Sequence, residues 1–463
     1  MAQVTLLSVA QSGFSHSVCA ARKERSAMAC ESEAVHLGDV ARPATATEMT
    51  MNLITLGLGT GLLTMPWSTA GASIGTTVIV SFVVLLLNMW TCIVIVQASE
   101  SQQEFDLGFL LGHLPKKVGV VVNVVVNIFV VSSQLLVLLG YALVITNALV
   151  SEVPAGSLLH NKVIVCLLSA VVLFLLSLLP QKYLSFSSTA TIVANIYVVI
   201  LLVVFALGYD ESQTEAGEKI EGDICFFGLT TGAVAQMSNL MYSITIQACI
   251  PPMYFELEHR TVAKFTKCLC IAFSVIFLLF VVVSVSGYLA FGPHVSSDVL
   301  DNFPTSSVFG NAGKVAMALS IFGCFPLQIT PVVAPVVTLL RRWSQAKGVN
   351  APLLDDPAET VTNTVSERSG RVLLTGAVVV LVTSASLWVP SLSFVNTING
   401  AACAFGYTGL IPAFVGLYLL GEVPFRMKVA FYALLVGTSL FSVLGLFFTN
   451  NFVDDLQRRC LLW

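Results

Sequence analysis

Residues 52–67 read NLITLGLGTGLLTMPW. The run carries no charge, yet it holds Gly57, Gly59 and Gly61 close together, with Pro66 behind them. Glycine costs about 1 kcal/mol relative to alanine in a helix interior. A glycine at every second position near mid-span therefore predicts local unwinding. Non-helical backbone at membrane depth survives only where it lines a protein cavity. There, freed N–H groups and a half-helix N-terminus suit a carboxylate. The competing reading is close helix packing, because Gly57 and Gly61 form a G-x-x-x-G pair.

The surrounding chain explains why a membrane is invoked. Of its 463 residues, 56% are hydrophobic and 10% charged, with a mean hydropathy of +0.87. Soluble domains carry roughly 25% charged residues, so lipid must cover part of this surface. A helix needs about 20 apolar residues to cross a bilayer core. Residues 49–99 are free of charge and supply two spans, broken near Ala70–Gly75. Further spans fall at 118–151, at 163–181 and 183–209 on either side of Pro180–Lys182, and at 224–255, 268–292 and 315–340. Residues 372–421 hold the ninth and tenth, split at Trp388–Ser393, and 429–450 form the eleventh. These runs are continuously apolar and exceed the about 9–11 residues of a barrel strand. The fold expected is an all-α polytopic membrane protein with eleven transmembrane helices. Residues 1–46 read as a disordered cytosolic tail and 451–463 as a short C-tail. Leu6 to Ala10 is too short for a secretory signal core, and Arg22, Lys23 and Arg25 follow it.

Loop charge gives the orientation. With the N-tail cytosolic, five of the 22 basic residues (Lys162, Lys219, Lys314, Arg458 and Arg459) fall outside, leaving 17 in cytosolic segments. The outer loop at 210–223 is acidic through Asp210, Glu211, Glu215, Glu218, Glu221 and Asp223, which suits a solvated loop or a weak cation attractor. The cysteines show no C-x-x-C pair and read mainly as small buried hydrophobes. No basic cluster interleaves with aromatics, so no nucleic-acid partner is expected. The choice between plasma membrane and a lysosome- or vacuole-type organelle stays open.

A second interruption is expected in the sixth span, where residues 241–257 read MYSITIQACIPPMYFEL. Pro251 and Pro252 lack N–H donors, and their rings disfavour helix just upstream. Ser243, Thr245 and Gln247 supply polar atoms in that stretch. Paired interrupted helices at equivalent positions of two halves point to a transporter site. No Asp, Glu, Lys or Arg falls centrally in any span, so a buried-carboxylate proton relay lacks obvious parts. Hydroxyls and amides remain, which suit a zwitterion or a Na⁺ held by neutral oxygens.

Three motifs now add a resemblance. Gly59-Thr-Gly-Leu-Leu-Thr-Met-Pro66 with Ala70-Gly71, Pro252-Met-Tyr-Phe-Glu-Leu257, and Gly287-Tyr-Leu-Ala-Phe-Gly292 with Asp298 to Pro304 stand in the order found in the amino acid/auxin permease family, which the chain resembles over roughly 48–450. The resemblance implies a five-plus-five inverted repeat (about 48–209 and 224–421) with broken helices 1 and 6 and an extra helix at 429–450. It implies secondary transport of amino acids by alternating access, in a lipid bilayer, by a monomer without cofactors. It places substrate at Leu56, Gly57, Gly59, Thr60 and Gly61, beside Thr55, and at Tyr242, Ser243, Ile244, Thr245 and Gln247. Sodium-using members carry Asn where this chain has Thr55, Thr where it has Cys324, and often His where it has Gln247. Thiol sulfur suits a hard cation poorly, so the coupling ion, H⁺ or Na⁺, stays open. The rival is a non-transporting amino acid sensor using the same pocket, with 1–46 or 341–371 docking a partner. An enzyme is not expected: no H-E-x-x-H or paired intramembrane Asp is present.

Overall fold

The computed structural model describes residues 44–452 apart from 59–60, 152, 154–156, 158–160, 179–184, 209–223, 229–231, 305, 348–356 and 390. Gly59, Thr60, the acidic loop, Pro180–Lys182 and nearly all of both tails therefore lie outside the described residues. Two compact units are distinguished, 1–44 and 45–463. The fold below is that of the second.

Its first span is two helices, α1 (Ala46–Gly57) and α2 (Gly61–Ala72). A capping box starts α1: Glu48 N donates to Thr45 Oγ1 at 3.3 Å, and Thr45 N donates to Glu48 Oε2 at 2.8 Å. Then follow α3 (Ile74–Gln102), the short α4 (Leu107–Gly112), α5 (Lys116–Ser151), α6 (Lys162–Ser177) and α7 (Ser185–Ala206). The sixth span is again divided, into α8 (Gly232–Ser243) and α9 (Ile250–Glu256). The remainder is α10 (Val262–Phe291), α11 (Val308–Lys347), α12 (Pro357–Ala385), α13 (Leu392–Cys403), α14 (Ile411–Leu419) and α15 (Phe425–Phe452).

Six stretches among the described residues are helical, long and apolar enough to cross a membrane: Ile74–Gln102, Val124–Ser151, Val262–Phe291, Val308–Pro326, Leu392–Leu419 and Phe425–Phe447. Shorter apolar helices cover Lys162–Ser177, Thr191–Ala206 and Ser369–Ala385. Large side chains such as Ile79, Phe82 and Leu86 on α3, and Leu167, Val171 and Leu175 on α6, face outward. In water this would be an unsustainable apolar surface. The chain is a multi-pass integral membrane protein.

Burial separates centre from periphery. The most apolar stretch of Leu392–Leu419 is 72% buried within the protein, whereas that of Phe425–Phe447 is 22% buried, so the last helix lies at the lipid edge. Every residue of α2 except Trp67 is buried. The helix pair α2 and α8 packs at the centre, with α13 against α8 and α10 against α1, α2, α3 and α7. Backbones approach closely there. A Cβ added to Gly232 would sit 2.0 Å from Gly71 O, and one added to Gly400 would sit 1.7 Å from Ser238 O. Small residues allow this in membranes, where packing rather than the hydrophobic effect joins helices.

Two features differ from the expectations. The tenth span is not one regular helix: Ala404–Leu410 is a π-helical segment between α13 and α14. Pro412 lacks the N–H that would serve the Thr408 carbonyl, and the backbone widens instead. Cys225 is disulfide-bonded, whereas the other described cysteines are free.

Candidate functional site

The first break has a simple local cause. Helix α1 stops at Gly57, Leu58 turns out of helical geometry (φ −102°, ψ 74°), and α2 restarts at Gly61. Both readings of the glycines hold at once. A Cβ on Gly57 would lie 2.6 Å from Ile276 Cδ1, and one on Gly61 would lie 1.8 Å from Ser243 Oγ. The helix unwinds between two glycines that are also close-packing points. The second contact matters most, because Ser243 is the last residue of α8. The end of one half-helix therefore touches the start of another.

Around Leu58 the neighbours are neutral. Asn195 of α7 donates from Nδ2 to Leu58 O at 3.3 Å and to Thr191 O at 2.9 Å. Thr191 Oγ1 lies 3.0 Å from Cys324 Sγ and accepts from Ser320 Oγ at 2.8 Å. Cys324 is thus joined to the first break through α7. Thr55 is not: its hydroxyl donates to Met51 O at 2.8 Å within its own helix. Leu56 is exposed.

The second break runs from Ile244 to Ile246, followed by a 3₁₀ turn at Gln247–Cys249. Pro251 and Pro252 occupy the first turn of α9, where a missing N–H has no intrahelical cost. Their rings exclude continuous helix back through Gln247 and Ala248. Ser243 Oγ donates to Asn239 O at 2.8 Å and Thr245 Oγ1 to Met241 O at 2.5 Å, both within the preceding turn. Ile244 is buried, and its N–H still donates to Leu240 O at 3.1 Å. The Tyr242 hydroxyl approaches Gly140 on α5, where an added Cβ would lie 3.9 Å from it. Gln247 is fully buried and donates from Nε2 to Asn88 Oδ1 at 2.7 Å. Thr408 of the π segment donates to the same oxygen at 3.0 Å. Gln247 Oε1 has no protein partner.

A third network joins the half-helices one turn from Gly61. Thr64 Oγ1 lies 2.5 Å from Asn239 Oδ1, and Asn396 Nδ2 of α13 donates to Thr64 Oγ1 at 3.1 Å. Thr64, Asn239 and Asn396 are missing from the sequence-derived candidates. Asn239 stands four residues before Ser243, on the same helix face, and Thr64 stands three after Gly61, so their spacing carried a signal. Asn396 carried none. No acidic or basic side chain enters these three networks.

The family model described as "Transmembrane amino acid transporter protein" matches residues 42–453. The chain belongs to this family. Among relatives, vacuolar amino acid transporter 7 of Saccharomyces cerevisiae is 27% identical over 170 residues, which span 35% of this chain and 34% of that protein. Solute carrier family 38 member 8 of Mus musculus is 23% identical over 388 residues, which span 80% of this chain and 83% of that protein. A solved structure of Mhp1 in an inward-facing conformation covers 88% of this chain and 89% of that chain, with 8% identity and a TM-score of 0.54, a likeness of fold alone.

Membership bears out the motif-based resemblance and indicates a transporter rather than an enzyme. In this member of the family, the Pro252–Leu257 motif has a visible structural task. Tyr254 OH donates to Glu100 Oε2 at 2.9 Å, and the Arg260 guanidinium stacks 4.3 Å from the Phe105 ring. These contacts anchor α9 to the end of α3. Sodium fits the first break poorly. The Leu58 carbonyl already receives an amide N–H, and the nearby donor set includes a thiol, whereas a hard cation selects oxygens.

Proposed function

We propose that the protein is a secondary active transporter that moves an amino acid by alternating access, with the substrate held where the two breaks meet. The observation that carries this is the contact of Gly61 with Ser243, which joins two half-helix ends in an uncharged centre. The first N–H groups of a helix have no intrahelical acceptor, so the start of α2 suits the substrate carboxylate. The carbonyl end of α8 and the partnerless Gln247 Oε1 suit the ammonium. Gly57, Tyr242, Ser243, Ile244 and Thr245 belong to the proposed site as its walls and backbone, and Thr55, Leu56, Gly59 and Thr60 join the proposal on the sequence motif. Cys324 borders it through Thr191.

The six continuous stretches, three shorter apolar helices and two interrupted ones support an eleven-span arrangement. We read it as two inverted repeats, about 48–209 and 224–421, with 429–450 as the additional helix. The cytosolic N-terminus rests on the distribution of basic residues. The reading favours a driving ion other than Na⁺, with H⁺ the remaining choice.

The test is uptake of labelled amino acids by the purified chain in liposomes. Saturable uptake of at least one is expected. If correctly folded protein moves none of the twenty, the transporter reading is overturned.

A further inference from the structure

Among the described residues, only two charged side chains are less than a tenth exposed, Asp298 at 5% and Lys314 at 4%. They lie together between α10 and α11, away from the three neutral networks. Asp298 caps the turn Val299–Asn302, its Oδ1 accepting from Leu300 N at 3.0 Å. Asp301 follows in the same turn, with its N–H donating to Asp298 O at 3.1 Å. Asn302 ties the loop to itself, accepting from Ser296 N at 3.0 Å and donating to Val299 O at 3.0 Å. Lys314 comes from the second turn of α11, which packs on this segment. No hydrogen bond or ion pair engages its ammonium among the described residues.

Among the described residues, the charged and titratable groups that face the turn are few. Lys314 acts on both carboxylates, and Lys162, at the start of α6, acts on Asp301. Tyr197 of α7 approaches the same part of α11 and donates to Phe309 O at 2.9 Å. The fourth neighbour is α2, which has no ionisable side chain. The turn packs on α2 near its middle: a Cβ on Gly287 would lie 2.4 Å from Pro66 and 3.5 Å from Val299. Whatever moves this turn therefore bears on the half-helix that begins at the first break.

Burial and charge explain what the cluster can hold. Asp301 is exposed, with Lys314 and Lys162 acting on it, whereas Asp298 is buried with no ion-paired cation among the described residues, so its neutral form is favoured. Losing the Asp298 proton to water leaves a negative charge in a buried place. Burial, and then repulsion from Asp301, push the Asp298 carboxyl up to about 8. Asp301 supplies this repulsion from an exposed position in the same turn.

We propose that Asp298, Asp301 and Lys314 form a proton-binding site against α2, separate from the helix breaks, that sets the pH dependence of the protein's activity. The consequence for activity rests on the transporter reading; proton binding itself does not. The direction for stability follows from linkage. The folded carboxyl keeps its proton from its ordinary value of 3.8 up to about 8. Stability therefore falls as pH rises through that window and levels off above it.

Two readouts on the full chain test this: apparent melting temperature of purified protein from pH 4 to 10, and uptake by liposomes over the same range. The melting temperature is expected to decline until about pH 8, and uptake to change at least about threefold between pH 7 and 9. Asp298→Asn should flatten both profiles. Asp301→Asn, by removing repulsion, should end the decline at lower pH. Lys314→Met, by removing attraction, should end it at higher pH. Opposite shifts from these two variants support the site even if Asp298→Asn fails to fold. A wild-type profile in Asp298→Asn, or shifts of the same sign in the other two, overturns it. Altered melting profiles with no uptake in any variant would leave the proton site standing and remove the transporter reading. A flattened melting profile with unchanged pH dependence of uptake would remove the link to activity.

Discussion

The first break interrupts its helix with missing side chains, the second with missing backbone donors. Gly57 and Gly61 bound an interval whose near wall is peptide backbone, and the polar groups that approach it come from α7 and α8. Pro251 and Pro252 impose the other interruption, and its own side chains are largely engaged: Ser243 and Thr245 turn back on α8, while the Gln247 amide holds Asn88. A glycine break leaves main-chain N–H groups accessible and tolerates almost no added volume. A proline break keeps room for side chains, so the feature that distinguishes one amino acid from another fits better there. On the proposed transport reading, the contrast places the invariant part of an amino acid at the first break and selection at the second.

The strongest attempt to break this contrast adds volume at the contact point. Gly61→Val forces atoms into Ser243, whose Cβ would already lie 2.8 Å from an alanine Cβ and whose Cα would lie 3.2 Å away. Overpacking of this kind costs about 1–3 kcal/mol, and here the half-helices themselves must separate. Uptake should fall at least about 100-fold with expression retained. Gly61→Ala combined with Ser243→Gly removes the clash and should recover much of the loss. If Gly61→Val transports normally, the first break is not where substrate binds.

A milder change sharpens the second half of the contrast. Gln247→Leu removes two buried hydrogen bonds, to Asn88 Oδ1 and a longer one to Thr91 Oγ1, each worth about 1 kcal/mol or less, but also removes an oxygen with no protein partner, which costs about 1–3 kcal/mol to bury. Stability should stay within about 1 kcal/mol of the wild type by thermal unfolding. Binding should not: KM is expected to rise about tenfold with kcat nearly unchanged, the mark of a lost ground-state contact. An unchanged KM would show Gln247 to be a brace between Asn88 and the 3₁₀ turn.

These two residues also show what the sequence could reveal. Helix interruption is written locally, in glycines and prolines whose backbone cost is independent of neighbours, so both breaks and the turns near Ser73 and Trp388 were legible. The meeting of Gly61 with Ser243 joins residues far apart in the sequence and left only the hint of a shared small-residue requirement. Asn396 contacts Thr64 across 332 positions, and no spacing rule relates them. The π segment was hidden because Gly406, Gly409 and Pro412 read equally well as ordinary small residues in a packed span. Lys314 was assigned to an outer loop by charge, and its burial depends on how α11 meets the turn after α10.

The smallest expected effect bears on the surroundings of the first break. A carbonyl freed by a broken helix needs either a donor or a cation. Here Asn195 supplies the donor to Leu58 O, and the sulfur of Cys324 stands where a hard cation would prefer oxygen. Replacing external Na⁺ with choline should therefore alter uptake by less than about twofold, a difference of about 0.4 kcal/mol. Asn195→Asp replaces the N–H donor with an oxygen beside the Leu58 carbonyl, an arrangement that repels itself unless a cation or proton lies between. That variant should acquire dependence on Na⁺ or on low pH, while Asn195→Ala should lose activity under both conditions. Tenfold or greater loss of wild-type uptake without Na⁺ would mean that a cation displaces the amide during the cycle, and the first break would then hold substrate and ion together.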